Sequence, residues 1–343
     1  MITARGRPRS CATGSAWTTP ERTVVTLRIA TRRSALARAQ ATQAGQALGV
    51  PFELVPLATT GDLHPERAVE AFETKGLFVD TIREAVLSGD CDLAVHSAKD
   101  LPGDDVPGLT IGAYPRREDP RDVLITPEGH TLGSLPSLAT VGTSSARRRL
   151  QVLRVRPDLQ VLPVRGNIDT RLRKVAEGEF MAVVVALAGL RRLYTSEDSG
   201  GIGPLGLPLR ALALEPGECL PAPAQGALAL ECRSDDAGTA ALLRRIDDPP
   251  TRAAVRAERG FQRRLGGGCL TPIGALATVS GQRLELAGML ADPVHRRVLR
   301  QSASGPLATP DVVAADLAAR VRELGGDTML EHIAAQARAP HGA

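Results

Sequence analysis

The 343-residue chain is poor in aromatic side chains, with one Trp, two Tyr and five Phe. So few rings argue against a single-stranded nucleic-acid binder, which stacks bases on aromatic platforms. A net charge of +4 is also small for a nucleic-acid partner. Lysine is scarcer still. Of 42 cationic residues only Lys75, Lys99 and Lys174 are lysine; the rest are arginine, a bias that GC-rich coding explains. Its physical consequence stands regardless, because arginine grips carboxylates through a planar fork that lysine lacks. The five cysteines, at positions 11, 91, 219, 232 and 269, are odd in number, widely spaced and without a CxxC pair. That excludes a disulfide framework and points to a reducing, cytoplasmic setting. Six scattered histidines and no cysteine pair give no metal-ligand spacing, so no metal is expected. No stretch approaches the ~20 consecutive apolar residues of a membrane span. Residues 1–22 are arginine-rich without an apolar h-region and read as a disordered extension rather than a secretory signal.

Against these absences, 43% of residues are apolar and 23% charged, an ordinary globular balance. The length suits two or three domains. Val24–Ala30 reads as a strand, Ala35–Leu48 as an Ala-rich helix closed by Gly49, and Phe52–Leu57 as a second strand. Residues 60–76 read as a long loop. Phe78, Ile82 and Val86 then mark a helix face, and Cys91–Val95 a short buried strand. The pattern restarts with a strand end at Ala139–Gly142, a helix over Ala146–Val155, and strands at Leu159–Val164 and Met181–Leu187. Strands alternating with helices predict parallel-dominated sheets, here in two lobes of one plan. From Thr271 the texture changes. Leu284, Leu286 and Leu290 suggest a half-solvated strand, and Val313, Leu317, Val321 and Leu324 a helix stripe closed by Gly325. This predicts a smaller α+β domain.

Two strand-to-helix corners, Thr31-Arg32-Arg33-Ser34 and Thr143-Ser144-Ser145, offer hydroxyls and helix N-termini, with Arg32, Arg147 and Arg148 beside them. A third corner, Arg165-Gly166-Asn167, leads into Arg171, Arg173 and Lys174, and Arg192 falls in the loop after the Met181–Leu187 strand. Ligands of open α/β sheets bind outside the carboxyl ends of strands. Four arginine-bearing corners therefore predict an anion with several carboxylates. The run Ala94–Pro102 carries His96, Ser97, Lys99 and Asp100 out of a buried strand. If the extended geometry persists, His96 and Asp100 share one side and Ser97 and Lys99 the other. An Asp at such a strand end suits acid–base work or holding a cation. In Gly266-Gly267-Gly268-Cys269 the glycines expose a thiol suited to covalent attachment, whereas Cys91 and Cys232 read as buried small hydrophobes. Gly201–Gly206 fits GxGxxG literally but contains Pro204 and has neither strand nor helix beside it, so it reads as a loop.

These segments together resemble the porphobilinogen deaminase (hydroxymethylbilane synthase) family. The likeness runs through Leu27–Ser34, Lys75–Phe78, Ala94–Pro102, Arg117–Asp122, Val141–Arg148, Arg165–Asn167, Pro221–Arg233 and Gly267–Cys269, in family order. It implies an α/β fold of two periplasmic-binding-protein-like domains plus a smaller α+β C-terminal domain. The expected division is 23–117 with 217–243, then 118–216, then 244–343. It implies a transferase that condenses four porphobilinogen units with loss of ammonia, starting on a dipyrromethane cofactor joined by a thioether to Cys269. Asp100 aligns with the catalytic aspartate, which stabilises the cationic azafulvene formed as ammonia leaves. Arg32, Ser34, Ser97, Lys99, Thr143, Ser144, Ser145, Arg147, Arg148, Arg165, Gly166, Arg171 and Arg192 are expected to bind cofactor and substrate carboxylates. Lys75, Phe78 and Gln225 are expected on the substrate side. A monomer acting on a small molecule is expected, without nucleic acid, membrane or metal. The rival reading is a two-lobed carboxylate-binding or ligand-sensing protein, which would need neither Asp100 nor a thiol. Two departures from the family pattern are visible: Ala71 stands where members often carry a lysine, and 194–220 is unusually rich in Gly, Pro and Leu.

Overall fold

The computed structural model describes residues 26–58, 79–102, 106–194, 206–266 and 271–338. The expected extension at 1–22, the 60–76 loop with Lys75, Phe78, residues 201–205 of the glycine motif, and Cys269 lie outside them.

The chain opens with β1 (Leu27–Arg32), α1 (Ala35–Leu48), β2 (Phe52–Leu57), α2 (Asp80–Leu87), β3 (Leu93–Ser97) and β4 (Leu109–Ala113). The α1 span matches the sequence reading at both ends. Ser34 caps it by accepting the Ala37 N–H at 3.3 Å, and Gly49 ends it at φ 67°, the left-handed conformation a C-terminal glycine supplies cheaply. The chain then crosses to β5 (Asp122–Thr126), β6 (Thr140–Gly142), α3 (Ala146–Val155), β7 (Gln160–Leu162), α4 (Ile168–Ala176), β8 (Ala182–Ala186), α5 (Leu187–Leu193) and β9 (Arg210–Ala213). It returns through β10 (Leu228–Arg233), α6 (Ala237–Arg244) and α7 (Pro249–Arg264).

Two five-stranded sheets result, ordered β2-β1-β3-β10-β4 and β7-β6-β8-β5-β9. Each has three parallel strands in the order second, first, third, followed by one antiparallel strand, β10 or β5. The two lobes therefore share one plan, and each receives its antiparallel strand from a crossing segment. The α/β expectation holds, and Cys91 and Cys232 are fully buried as expected. The Gly/Pro/Leu-rich segment differs from a plain loop, because β9 pairs antiparallel with β5 along the sheet edge.

The third unit is a meander of β11 (Ile273–Ser280), β12 (Arg283–Asp292) and β13 (Arg297–Pro306) with α8 (Pro310–Val321) and α9 (Asp327–Arg338). Its core gathers Phe261 of α7, Leu284, Leu286 and Leu290 of β12, and Val313, Leu317 and Val321 of α8. Leu324 departs from the expected stripe. It is exposed, because the helix passes into a wider turn at Arg322–Gly326 with Gly325 at φ 95°. No helix among the described residues is long and apolar enough to cross a membrane.

Candidate active site

The ends of β1, β3 and β8 open on a cleft of about 480 Å³ between the first two lobes. It gathers Arg32, Ser34, Ser97, Lys99, Asp100, Gly166, Arg171, Arg192 and Gln225 among the residues singled out by sequence. Thr143, Ser144, Ser145, Arg147, Arg148 and Arg165 do not line it.

Asp100 reaches the cleft by a turn. The strand stops at Ser97, and Ala98–Asp100 form one 3₁₀ turn, so the expected alternation fails at its last step. His96 is accordingly not an active-site partner of Asp100; it is buried and bonded to Glu231 at 3.1 Å. The turn is held from two sides. The Ala98 N–H donates to the Ala227 carbonyl at 3.0 Å. Arg259 of α7 donates to the carbonyls of Ala98 at 2.8 Å, Leu101 at 3.0 Å and Pro102 at 2.5 Å. Arg259 and Gln40 were not foreseen. Gln40 of α1 lines the cleft and donates to the Ser97 hydroxyl at 2.8 Å. Lys99 is pushed below the ordinary lysine range by burial. Asp100 and Asp122 pull it back, while Arg148 and Arg147 add to the push.

The opposite wall carries Arg171 and Arg192 and one acid, Asp169, which accepts the Tyr194 hydroxyl. Among the described residues neither Arg171 nor Arg192 is paired with a carboxylate; they donate instead to the carbonyls of Gly166 at 2.9 Å and Gly226 at 2.7 Å. Burial pulls Arg192 down to about 10, with Glu118 opposing. Burial and the nearby charge of Arg148 lower Arg171. Arg192 sits in α5, not in a loop, which fixes its fork toward the crossing at Gln225-Gly226. Gly226 lies at φ 88°, and a Cβ there would meet the Glu118 carbonyl oxygen at 2.4 Å, so the two crossings touch only because it is glycine.

Arg147 and Arg148, expected to bind ligand carboxylates, already have a carboxylate partner in the protein. Both are buried on Asp122, the first residue of β5, with Arg147 Nη1–Oδ2 at 2.8 Å and Arg148 Nη2–Oδ1 at 2.7 Å. Arg147 also donates to the Leu220 carbonyl, and Gln225 donates to Asp122 at 2.8 Å. Burial alone would raise the Asp122 pKa, but Arg147 and then Arg148 outweigh it and hold the carboxyl far below its usual range. Burial and Asp122 push the Cys219 thiol beside them up to about 12. Thr143, Ser144 and Ser145 serve the same corner. The Ser144 hydroxyl donates to the Val164 carbonyl at 2.8 Å, Thr143 Oγ1 accepts the Ser145 N–H at 3.2 Å, and Ser145 caps α3. Arg165 is exposed at the neighbouring corner.

Comparison with known proteins identifies the family. Residues 27–241 match the family "Porphobilinogen deaminase, dipyromethane cofactor binding domain", and residues 252–323 match "Porphobilinogen deaminase, C-terminal domain". The porphobilinogen deaminase of Acidothermus cellulolyticus is 43% identical over 89% of this chain and 91% of its own. That of Brevibacillus brevis is 44% identical over 89% and 96%. Among solved structures, the second substrate binding domain of a putative amino acid ABC transporter from Streptococcus pneumoniae covers 64% of this chain and 91% of its own, at 11% identity and a TM-score of 0.37. The chain belongs to the porphobilinogen deaminase family, the dipyrromethane-dependent hydroxymethylbilane synthase transferases of tetrapyrrole biosynthesis.

Proposed function

We propose that this chain joins four porphobilinogen units head to tail on a dipyrromethane primer tethered to Cys269, with Asp100 as the catalytic carboxylate. The observation that carries the site assignment is one cleft lined by Asp100 on one wall and on the other by Arg171 and Arg192, neither of which is paired with a carboxylate among the described residues.

The cleft fits such a ligand. Cations without carboxylate partners suit acetate and propionate groups. The buried Gln225 Oε1, which has no hydrogen-bond partner among the described residues, suits a pyrrole N–H. When bound, the dipyrromethane supplies the pyrrole carbon on which the chain grows. Arg32, Arg171 and Arg192 hold side-chain carboxylates, and Ser34 and Ser97 add donors. Asp100 would stabilise the positive charge that develops as ammonia leaves, and would accept the α-proton from the pyrrole whose carbon forms the new bond. Lys99, with its lowered pKa, releases a proton more readily than an ordinary lysine. Arg147 and Arg148 serve a ligand carboxylate by exchanging one contact with Asp122 for it. Thr143, Ser144, Ser145, Arg165 and Gly166 complete that corner, and Lys75 and Phe78 act from the substrate side.

We also infer a monomer acting in the cytoplasm on a small molecule. The large exposed apolar side chains, such as Leu87, Leu138, Leu162 and Val312, are scattered over separate elements. Light scattering after size exclusion checks this, and a stable dimer would overturn it. The deciding experiment for the activity is intact mass with and without Cys269→Ser. The native chain is expected to be heavier than its sequence by one dipyrrole and to turn over porphobilinogen. A Cys269→Ser chain that still carries the adduct overturns the attachment site, and an inert, unmodified native chain overturns the whole reading.

A further inference from the structure

The third sheet and the C-terminal helix bring together three groups that the condensation does not use. Asp292 ends β12 and is 1% exposed. Its Oδ1 accepts the backbone N–H of Val294 at 2.8 Å and of His295 at 3.3 Å. Its Oδ2 faces Nδ1 of His295 and Nδ1 of His332, each at 2.9 Å. The two rings lie 4.5 Å apart between centroids, and the three donor atoms all fall within 4.8 Å of one another.

We propose that Asp292, His295 and His332 form a binding site for a divalent transition-metal ion of the zinc class, which fastens α9 to the β12–β13 turn. The donor set is the first reason. Two imidazole nitrogens and one carboxylate oxygen suit zinc, nickel or copper, whereas magnesium and calcium take oxygen. Orientation is the second. Backbone donors occupy Oδ1 and aim Oδ2 at both rings, as outer hydrogen bonds aim a ligating carboxylate. Reach is the third. Tetrahedral zinc with bonds of ~2.1 Å separates its ligand atoms by about 3.4 Å, so each nitrogen moves about half an ångström from Oδ2 while the two nitrogens, within 4.8 Å of each other, settle at that same spacing. The His295 and His332 side chains, 58% and 38% exposed, have room to do so, and solvent fills the fourth position. On binding, each imidazole presents its Nδ1 lone pair and keeps its proton on Nε2. The sequence reading expected no metal because His332 lies far along the chain from the Asp292-x-x-His295 pair, and only the docking of α9 closes that gap.

The test uses the full-length, untagged chain, stripped with chelator and dialysed against zinc chloride. Elemental analysis is expected to find one more zinc per chain in the wild type than in His295→Ala/His332→Ala. Magnesium chloride at the same concentration leaves no bound metal. Zinc is expected to raise the melting midpoint of the wild type by several degrees and to leave the double variant unmoved. His295→Ala alone, which removes an exposed ring, keeps the fold and weakens zinc binding at least tenfold. Turnover is unchanged in both variants, since none of the three residues lines the cleft. Equal zinc content in wild type and double variant overturns the site.

Discussion

Arg192 carries a charge that its surroundings compensate poorly, since burial depresses it and only Glu118 opposes the loss. A ligand carboxylate would restore that balance. Arg192→Leu is therefore expected to raise KM for porphobilinogen at least tenfold or to block cofactor assembly, with the fold intact by circular dichroism. Unchanged kinetics would remove Arg192 from the ligand set. Asp100→Asn keeps the size and the turn but loses the anion. Turnover is expected to fall by about 10²–10⁴ while the dipyrrole mass remains, which single-turnover kinetics and mass spectrometry separate. Near-normal turnover would end the assignment. The cleft positions of Asp100 and Arg171 were legible because strand ends and helix starts can be read locally. Arg259 and Gln40 were not. Their contacts at Ala98 and Ser97 join segments 161 and 57 residues apart, which no local pattern encodes.

At the scale of elements, α3 is anchored to β5 by a buried charge cluster. Removing Asp122 would strand two buried guanidiniums, so Asp122→Ala is expected to cost about 3–5 kcal/mol in urea denaturation. The sign of the pH effect follows from the depressed pKa. The unfolded carboxyl binds a proton before the folded one does, so Asp122 stabilises the fold above pH ~3.8, and the gain drains away below it. Acid titration of stability should be flatter below pH 4 in Asp122→Asn than in the native chain; parallel curves would contradict the cluster's role. Sequence located α1 and α3 because caps and a helical stripe coincide there. It passed over β5, whose five residues are all buried and so show no alternation. It found Arg147 and Arg148 but not their buried partner for a related reason: arginines are visible in a sequence, but the carboxylate that receives them is not.

Across the whole molecule, Glu258 of α7 holds three regions together while itself 0% exposed. It pairs with Arg117 of the first crossing at 2.6 Å, accepts the Ala224 N–H of the second at 2.6 Å, and accepts the Ala277 N–H of β11 at 2.7 Å. Glu258→Ala is expected to destabilise the fold by about 3–5 kcal/mol, and hydrogen exchange should quicken in both crossings and in β11 together. Exchange confined to one of them would deny the coupling. The two-lobed plan was legible from the repeated corner motif; the joint at Glu258 was not, since it is a fact of assembly. The return of β10 to the first sheet has a further consequence for the nascent chain. On the ribosome, β3 and β4 emerge first yet have no partner for their facing edges until β10 follows, more than a hundred residues later. The second lobe meanwhile holds its whole sheet by β9. Translation should therefore finish the later lobe before the earlier one, and pulse-labelled truncations ending near residue 216 should resist protease only from β5 onward.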